Sequence, residues 1–401
     1  MKILHVIPSF APAWQYGGPI IASLGLTKAL AKRGHHVEVF TTNKDGKGVI
    51  PIQTSTPVSM QGIDVTYFKV QFPRWYYFSF ALSAALKNEL RNFDIVHIHS
   101  VYLWPTTIAS YWCRKLKVPY VVRPLGMLDS TNVEKKYEHT IASLFSKIKK
   151  NTYMKMIGKY DLDNAAGIHY TSQYERDLSS KWSISTKGTV IPLGVGIPKP
   201  NILSKNHDSI DVSGNLKTIL FLSRLDPIKG IEILIETVNI LYRTRQDFKL
   251  IIGGAGTPEY ELKLHKIIQK KGLDDVISMI GNVGQQDKNS IFENADLFVL
   301  LSHHENFGIV VAEAMARQLP VVISNNVGIK NYVEDYGAGL VISEKKPQLI
   351  APKISRLLDD YNLRSKMGDK GKYLCENELS WDKIAEDTEN YYEFILSEFD
   401  K

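Results

Sequence analysis

Short, unbroken apolar runs recur along the whole chain, and segments with helical periodicity lie between them. In the first half the runs fall at residues 2–7, 36–41, 64–69, 95–99, 120–123 and 167–171. In the second half they fall at 218–222, 249–252, 276–279, 297–300, 321–323 and 339–342. The helical patterns include residues 20–33, 229–243 and 309–317. Runs that do not alternate with polar residues suit strands covered on both faces. Repeated β-α-β order then implies parallel sheets with right-handed crossovers. At roughly 100–200 residues per domain, a chain of 401 residues divides into two such domains. The stretch 191–216 is rich in Pro, Gly, Ser and Asn, lacks any period and reads as the connection. The expected boundaries are 1–195 for the first domain, 196–215 for the linker and 216–379 for the second. Trp381, Ile384, Tyr391 and Ile395 form one face of a terminal helix, so residues 380–401 are expected to pack back onto the first domain.

Two cysteines, Cys113 and Cys375, stand far apart and in no metal spacing, which suits a reducing compartment. The N-terminus reads as a first buried strand rather than a leader. No apolar run approaches the ~20 residues of a membrane span. The expected location is cytoplasmic, with peripheral contact to the inner face of a membrane as a further expectation.

The net charge of +7 is unevenly spread. Between residues 131 and 160 stand Lys135, Lys136, Lys147, Lys149, Lys150, Lys155 and Lys159 against only Glu134 and Glu138. Such a patch favours an anionic partner, whether a phospholipid surface, a lipid diphosphate or nucleic acid. Lysines 147, 149 and 150 flank Ile141, Leu144, Phe145 and Ile148, which follow one helical face. Residues 74–78, Arg-Trp-Tyr-Tyr-Phe, open a second aromatic segment. Basic and aromatic helices of this kind lie at membrane interfaces; the competing reading is a set of core aromatics with solvated lysines.

The most site-like stretch runs from Ser302 to Ser324, SHHENFGIVVAEAMARQLPVVIS. It places Glu305 just beyond a buried strand, where open α/β sheets bind ligands. A helix starting near Gly308 would point its free N–H groups at the same crevice, with Glu313 further along it. A second strand, 218–222, ends in SRLDPIKG, which sets Arg224 and Lys229 on one loop. A planar fork and a point charge together suit a diphosphate, although two solvated surface charges would look the same. Gly17-Gly18 after the first strand lets backbone N–H groups approach an anionic oxygen, or simply makes a turn.

Taken together these pieces resemble the family-4 glycosyltransferases of the GT-B architecture, with a glycogen-synthase-like C-terminal domain. The resemblance rests on Gly17-Gly18, DIVHIHS at 94–100, SRLDPIKG at 223–230, GNV at 281–283 and HENFGIVVAEAMA with its paired Glu305 and Glu313, and it covers nearly the whole chain. It implies two doubly wound Rossmann-like domains facing each other across a cleft and a retaining transfer of a hexosyl group from a nucleoside-diphosphate sugar. By that resemblance Arg224 and Lys229 bind the diphosphate and neutralise the leaving group. Glu313 binds the ribose, Glu305 binds sugar hydroxyls, and the amides of Asn306, Phe307 and Gly308 lie alongside. The backbone at Gly281 and Val283 meets the base, Gly17 and Gly18 close over the phosphates, and His99 lies near the reacting sugar. Arg123 stands where the family often has His and is assigned to the acceptor side.

The implied acceptor is a glycan or a lipid-linked sugar in bacterial polysaccharide or lipopolysaccharide assembly, with no nucleic acid and no resident cofactor. His303 and His304 lack further ligands at metal spacing, and Asp161-Leu162-Asp163 reads as a helix-terminal charge pair, so no metal is expected. Three alternatives stay open: a sugar-nucleotide epimerase of the same fold, a non-catalytic nucleotide-sugar binding protein, and a nicotinamide-dependent oxidoreductase. For the third, residues 254–259 begin like G-x-G-x-x-G but carry Glu259 in place of the last glycine.

Overall fold

The computed structural model describes residues 1–129, 148–198 and 216–399. Backbone contacts divide the chain into two units, Met1–Gly194 with Trp381–Lys401, and Val195–Ser380. Residues 199–215 of the connecting stretch lie outside the described residues.

The first unit is built on an eight-stranded sheet. Its spatial order is β10 (Gly188–Val190), β9 (Gly167–Tyr170), β8 (Tyr120–Arg123), β7 (Ile95–His99), β1 (Lys2–Ile7), β2 (His36–Thr42), β6 (Ile63–Phe68) and β5 (Pro57–Met60). Every neighbour pairs in parallel except β5, which runs antiparallel to β6. A hairpin, β3 (Lys44–Asp45) with β4 (Gly48–Val49), follows β2. The strands β3, β4, β5 and β10 are short and partly exposed, so they carry no apolar run by which the sequence could mark them.

Successive residues of a strand face opposite sides of the sheet. Ile3 and Ile7 pack with Leu26, Leu30 and Tyr392 on one side. Leu4 and Val6 pack with Leu82, Leu86 and Cys113 on the other. Helices on both sides thus explain the continuous apolar runs. The C-terminal helix Trp381–Phe399 buries Ile384, Tyr392 and Ile395 in this unit. It lies close because three positions are glycine: a Cβ at Gly25 or Gly194 would collide with the Trp381 ring, and one at Gly167 with the Tyr391 hydroxyl.

The second unit carries a six-stranded, fully parallel sheet. The order is β13 (Ile277–Gly281), β12 (Phe248–Gly253), β11 (Lys217–Leu222), β14 (Leu297–Leu300), β15 (Val321–Ser324) and β16 (Gly339–Ile342). The helix expected at 309–317 stops at Met315. Gln318 takes φ 59°, and Leu319 N donates to Ala314 O, which closes the helix ahead of Pro320. In both sheets the strand order reverses at one place, between β1 and β7 in the first unit and between β11 and β14 in the second. Ligands of doubly wound folds bind outside the carboxyl ends of the strands at such a reversal.

Candidate functional site

In the second unit the loops after β11 and β14 flank the reversal and are joined to each other. His303 N donates to Ile228 O at 2.7 Å. The first loop turns through the 3-10 segment Pro227–Lys229, capped by the Asp226 carboxylate accepting from Ile228 N at 3.1 Å. It leaves through Gly230 at φ 70°, where a Cβ would collide with the Leu301 carbonyl oxygen.

Held in this frame, the Lys229 ammonium forms an ion pair with the Glu305 carboxylate, their side chains 13% and 20% exposed. The Glu305 backbone is fixed on both sides: its N–H donates to Asn326 O and its carbonyl accepts from Gly328 N, each at 2.9 Å. Phe307 is buried and anchors the loop, so only its backbone is left for a ligand. Gly308 caps the next helix at φ 93°.

The other expected donor contacts lie on strands, loops and helices of the same unit. Arg224 is 71% exposed, with Asp226 3.7 Å away. Gly281 ends β13 at φ 69°, and its carbonyl accepts from Gly254 N at 2.7 Å. Val283 packs against Gly253, close enough that a Cβ there would stand 3.0 Å from it. Asn306 is half-buried. Glu313 does not stand free: Lys288, on the helix Gln285–Glu293, places its ammonium 2.5 Å from that carboxylate. Lys288 lies 25 residues upstream in an unremarkable polar helix, and nothing in the sequence pairs the two.

An ammonium beside a carboxylate, both largely shielded, has a definite chemistry. The cation can exchange one carboxylate for a phosphate oxygen without leaving the loop. The freed carboxylate can then accept hydrogen bonds from hydroxyls.

In the first unit Gly17 precedes the helix Gly18–Lys32 at φ 63°, exposed, with nothing within 4 Å of where a Cβ would lie. His99 ends β7 but is fully buried, and His5 Nδ1 lies 3.0 Å from its Nε2. His97 Nδ1 meets the Tyr392 hydroxyl at 2.6 Å, and His169 Nε2 donates to Ile191 O at 2.9 Å. Arg123, expected on the acceptor side, is buried among these histidines, and none of its three guanidinium nitrogens has a hydrogen-bond partner. Its carboxylate neighbour, Glu175, is engaged by Gly126 N and by the Thr171 N and hydroxyl.

Burial first, and neighbouring positive or partly positive groups second, hold all four imidazoles far below their usual range, His5 at about 3. The nitrogens of His5, His97 and His99 fall within 4.8 Å of one another, a spacing that suits a cation, yet the Arg123 charge opposes one. The triplet at 161–163 is engaged internally, with Asp161 2.7 Å from Arg114 and Asp163 2.6 Å from Lys159.

Of the basic segment, Lys135, Lys136 and Lys147 and the apolar face Ile141, Leu144 and Phe145 lie outside the described residues. Within them, Lys149 Nζ stands 3.2 Å from the centre of the Trp75 ring. Phe72, Trp75, Phe80, Ile148 and Met156 of the same unit are exposed. No described helix is long and apolar enough to cross a membrane.

Two family models match the chain, "Glycosyltransferase Family 4" over residues 16–197 and "Glycosyl transferases group 1" over residues 204–373. An uncharacterized glycosyltransferase of Methanocaldococcus jannaschii is 26% identical over 96% of this chain and 97% of its own length. A GDP-mannose:cellobiosyl-diphosphopolyprenol alpha-mannosyltransferase of Xanthomonas oryzae is 24% identical over 89% of this chain and 87% of its own. Among solved structures, Anabaena HepE in complex with UDP superposes with a TM-score of 0.73 at 19% identity, covering 98% of this chain and all of that one. Two matched models in chain order, relatives alike over almost the full length and a shared pair of Rossmann-like folds lead to one conclusion: the chain belongs to the family-4 glycosyltransferases of the GT-B fold.

Proposed function

We propose that the protein transfers a sugar, with retention of configuration, from a nucleoside-diphosphate sugar to a glycan or lipid-linked acceptor. The observation that carries this is the Lys229–Glu305 pair at the strand reversal of the second unit. Lys229, joined by the exposed fork of Arg224, receives the diphosphate and stabilises charge on the departing oxygen. Glu305 receives the sugar hydroxyls and Glu313 the ribose. The acceptor hydroxyl attacks the anomeric carbon on the face that the diphosphate leaves. The bond from that carbon to the phosphate oxygen breaks as the new glycosidic bond forms, and the leaving oxygen takes the acceptor's proton. The UDP complex of HepE and the GDP-mannose named for the Xanthomonas relative support a nucleotide donor. The polyprenol-linked acceptor named for that relative supports a place in polysaccharide assembly.

The exposed aromatics Phe72, Trp75 and Phe80, with Lys149 over the Trp75 ring, support docking on an anionic membrane where a lipid-linked acceptor resides. A screen of UDP-, GDP- and ADP-sugars for donor turnover tests the assignment. One donor should be consumed, and Lys229→Met should lower that consumption by roughly 10²-fold or more. Turnover undiminished in Lys229→Met would remove the reading. Flotation with anionic vesicles at low and high salt tests the membrane contact, which should be lost at high salt.

A further inference from the structure

A second polar cluster lies in the first unit, away from the histidines. The loops after β1, β2 and β6, three adjacent strands of the sheet, meet at their carboxyl ends. Tyr77 Oη, from the third loop, donates to Tyr16 Oη of the first at 2.9 Å. The hairpin after β2 meets the first loop where a Cβ at Gly46 would collide with the Gln15 side chain, and its Asp45 carboxylate acts on the Tyr77 phenol. Ser9 Oγ donates to Lys44 O at 3.1 Å, tying the first and second loops. Tyr77 is held at φ 59°, a left-handed conformation that is unfavourable for a non-glycine residue and that clusters at functional sites. Asp45 keeps one carboxylate oxygen, Oδ1, shielded and without a hydrogen-bond partner. Trp14, in the same turn as Tyr16, is 54% exposed.

We propose that Tyr16, Tyr77, Ser9 and Asp45 form a subsite for a neutral sugar ring of the acceptor. Phenols, a hydroxyl and a carboxylate whose Oδ1 lacks a partner are the groups that read sugar hydroxyls, and an exposed indole offers a face on which a sugar ring stacks. The charge decides against a phosphate here. The lysine of the cluster, Lys44, is turned inward, its ammonium donating to Gly46 O at 2.6 Å and Gly48 O at 3.3 Å. A phosphate would meet the Asp45 carboxylate without that cation, whereas a hydroxyl donates to it. The inference names the acceptor class for the transfer proposed above, and the word acceptor rests on that reading.

Saturation-transfer NMR on the full chain tests it without any donor. The probes are methyl α-glucoside, methyl α-mannoside and cellobiose against myo-inositol 1-phosphate and glucose 1-phosphate. At least one neutral sugar should give transfer, and Asp45→Asn and Tyr77→Phe should each weaken it by about fivefold or more. Nucleoside-diphosphate affinity, measured in parallel by calorimetry, should stay within about twofold of the parent. Transfer to the phosphates alone, or neutral-sugar transfer unchanged in Asp45→Asn, would overturn the subsite. Absent nucleotide binding by the parent chain would instead overturn the donor reading and leave this result legible. If Tyr77→Phe lowers the melting temperature, Asp45→Asn, on a half-buried hairpin, carries the test.

Discussion

The ammonium of Lys288 stands 2.5 Å from the carboxylate of Glu313, and the two side chains are only 17% and 12% exposed. The pair joins the helices Gln285–Glu293 and Ile309–Met315 on the carboxyl side of the sheet. Glu313 also has Arg317 nearby, whose Nη1 donates to the Glu313 carbonyl at 2.8 Å. A carboxylate so placed is kept in one rotamer, ready to accept from a diol. Lys288→Met should therefore weaken nucleoside-diphosphate binding by about tenfold, ~1.4 kcal/mol, with kcat nearly retained. Lys288→Arg should restore most of the loss. Calorimetry with ribo- and 2′-deoxyribonucleotides is the check: the parent should prefer the ribo form, and Lys288→Met should lose that preference.

Lys229 and Glu305 are expected to act as a unit. Removing one partner leaves the other partly buried and unpaired. Single substitutions Lys229→Met and Glu305→Gln should each cost roughly 10²-fold or more in kcat/KM, and the double substitution should cost clearly less than the product of the two. Strict multiplicativity in a double-mutant cycle of donor turnover would show that the two do not cooperate.

Two glycines with nearly the same φ should respond differently to alanine. Gly17, at φ 63° and ψ −124°, has open space around a prospective Cβ, so Gly17→Ala meets only the backbone cost of a conformation that suits glycine, about 1–3 kcal/mol. Gly230 at 70° would drive its Cβ into the Leu301 carbonyl, separating the loops that His303 N and Ile228 O hold together. Gly230→Ala should lower the melting temperature by roughly 5 °C or more and abolish donor turnover, while Gly17→Ala, with no clash added to its backbone cost, lowers it by less. Equal melting temperatures for the two variants would show that the contact yields.

The sheets were legible from the unbroken apolar runs, because strands covered on both faces leave no other pattern. The loops at 223–230 and 302–308 were legible because a strand end, a glycine and a charged side chain coincide in a few residues. The return of residues 380–401 to the first domain was legible too, from one apolar helix face, but the individual partners across sequence distance escaped. The Lys288–Glu313 pair, the Tyr16–Tyr77–Asp45 meeting and the docking of Trp381 over Gly25 and Gly194 depend on topology, not on local spacing. Arg123 was visible as a charge at a strand end. Its burial among His5, His97, His99 and His169 follows from three strands placing their imidazoles on the same face of the sheet.

That histidine cluster predicts how the first unit fails in acid. His5, His97, His99 and His169 sit buried and neutral beside Arg123, with Tyr392 and Glu175 facing the same space. Their folded values lie below the usual 6.5, so the unfolded chain binds more protons than the folded one over this window. Their stabilising contribution is complete above about pH 6.5 and is lost as pH falls toward the folded values, for His5 about 3. Each such proton costs ~1.4 kcal/mol per pH unit. Asp161 works in the opposite direction: burial raises it from 3.8 to about 6 against the pull of Arg114, so its contribution favours folding at low pH and fades as pH rises through 6. Burial raises Glu175 and Glu89 in the same sense, so three carboxyls oppose four imidazoles, and the more deeply buried imidazoles set the direction. Opening free energies of the β1, β7 and β8 amides, from hydrogen exchange corrected for intrinsic rates, should therefore fall by several kcal/mol between pH 7 and 5. His5→Gln should make that slope shallower by about one proton, and Asp161→Asn should make it steeper between pH 4 and 6. A slope identical in all three proteins would mean that these groups do not govern acid stability.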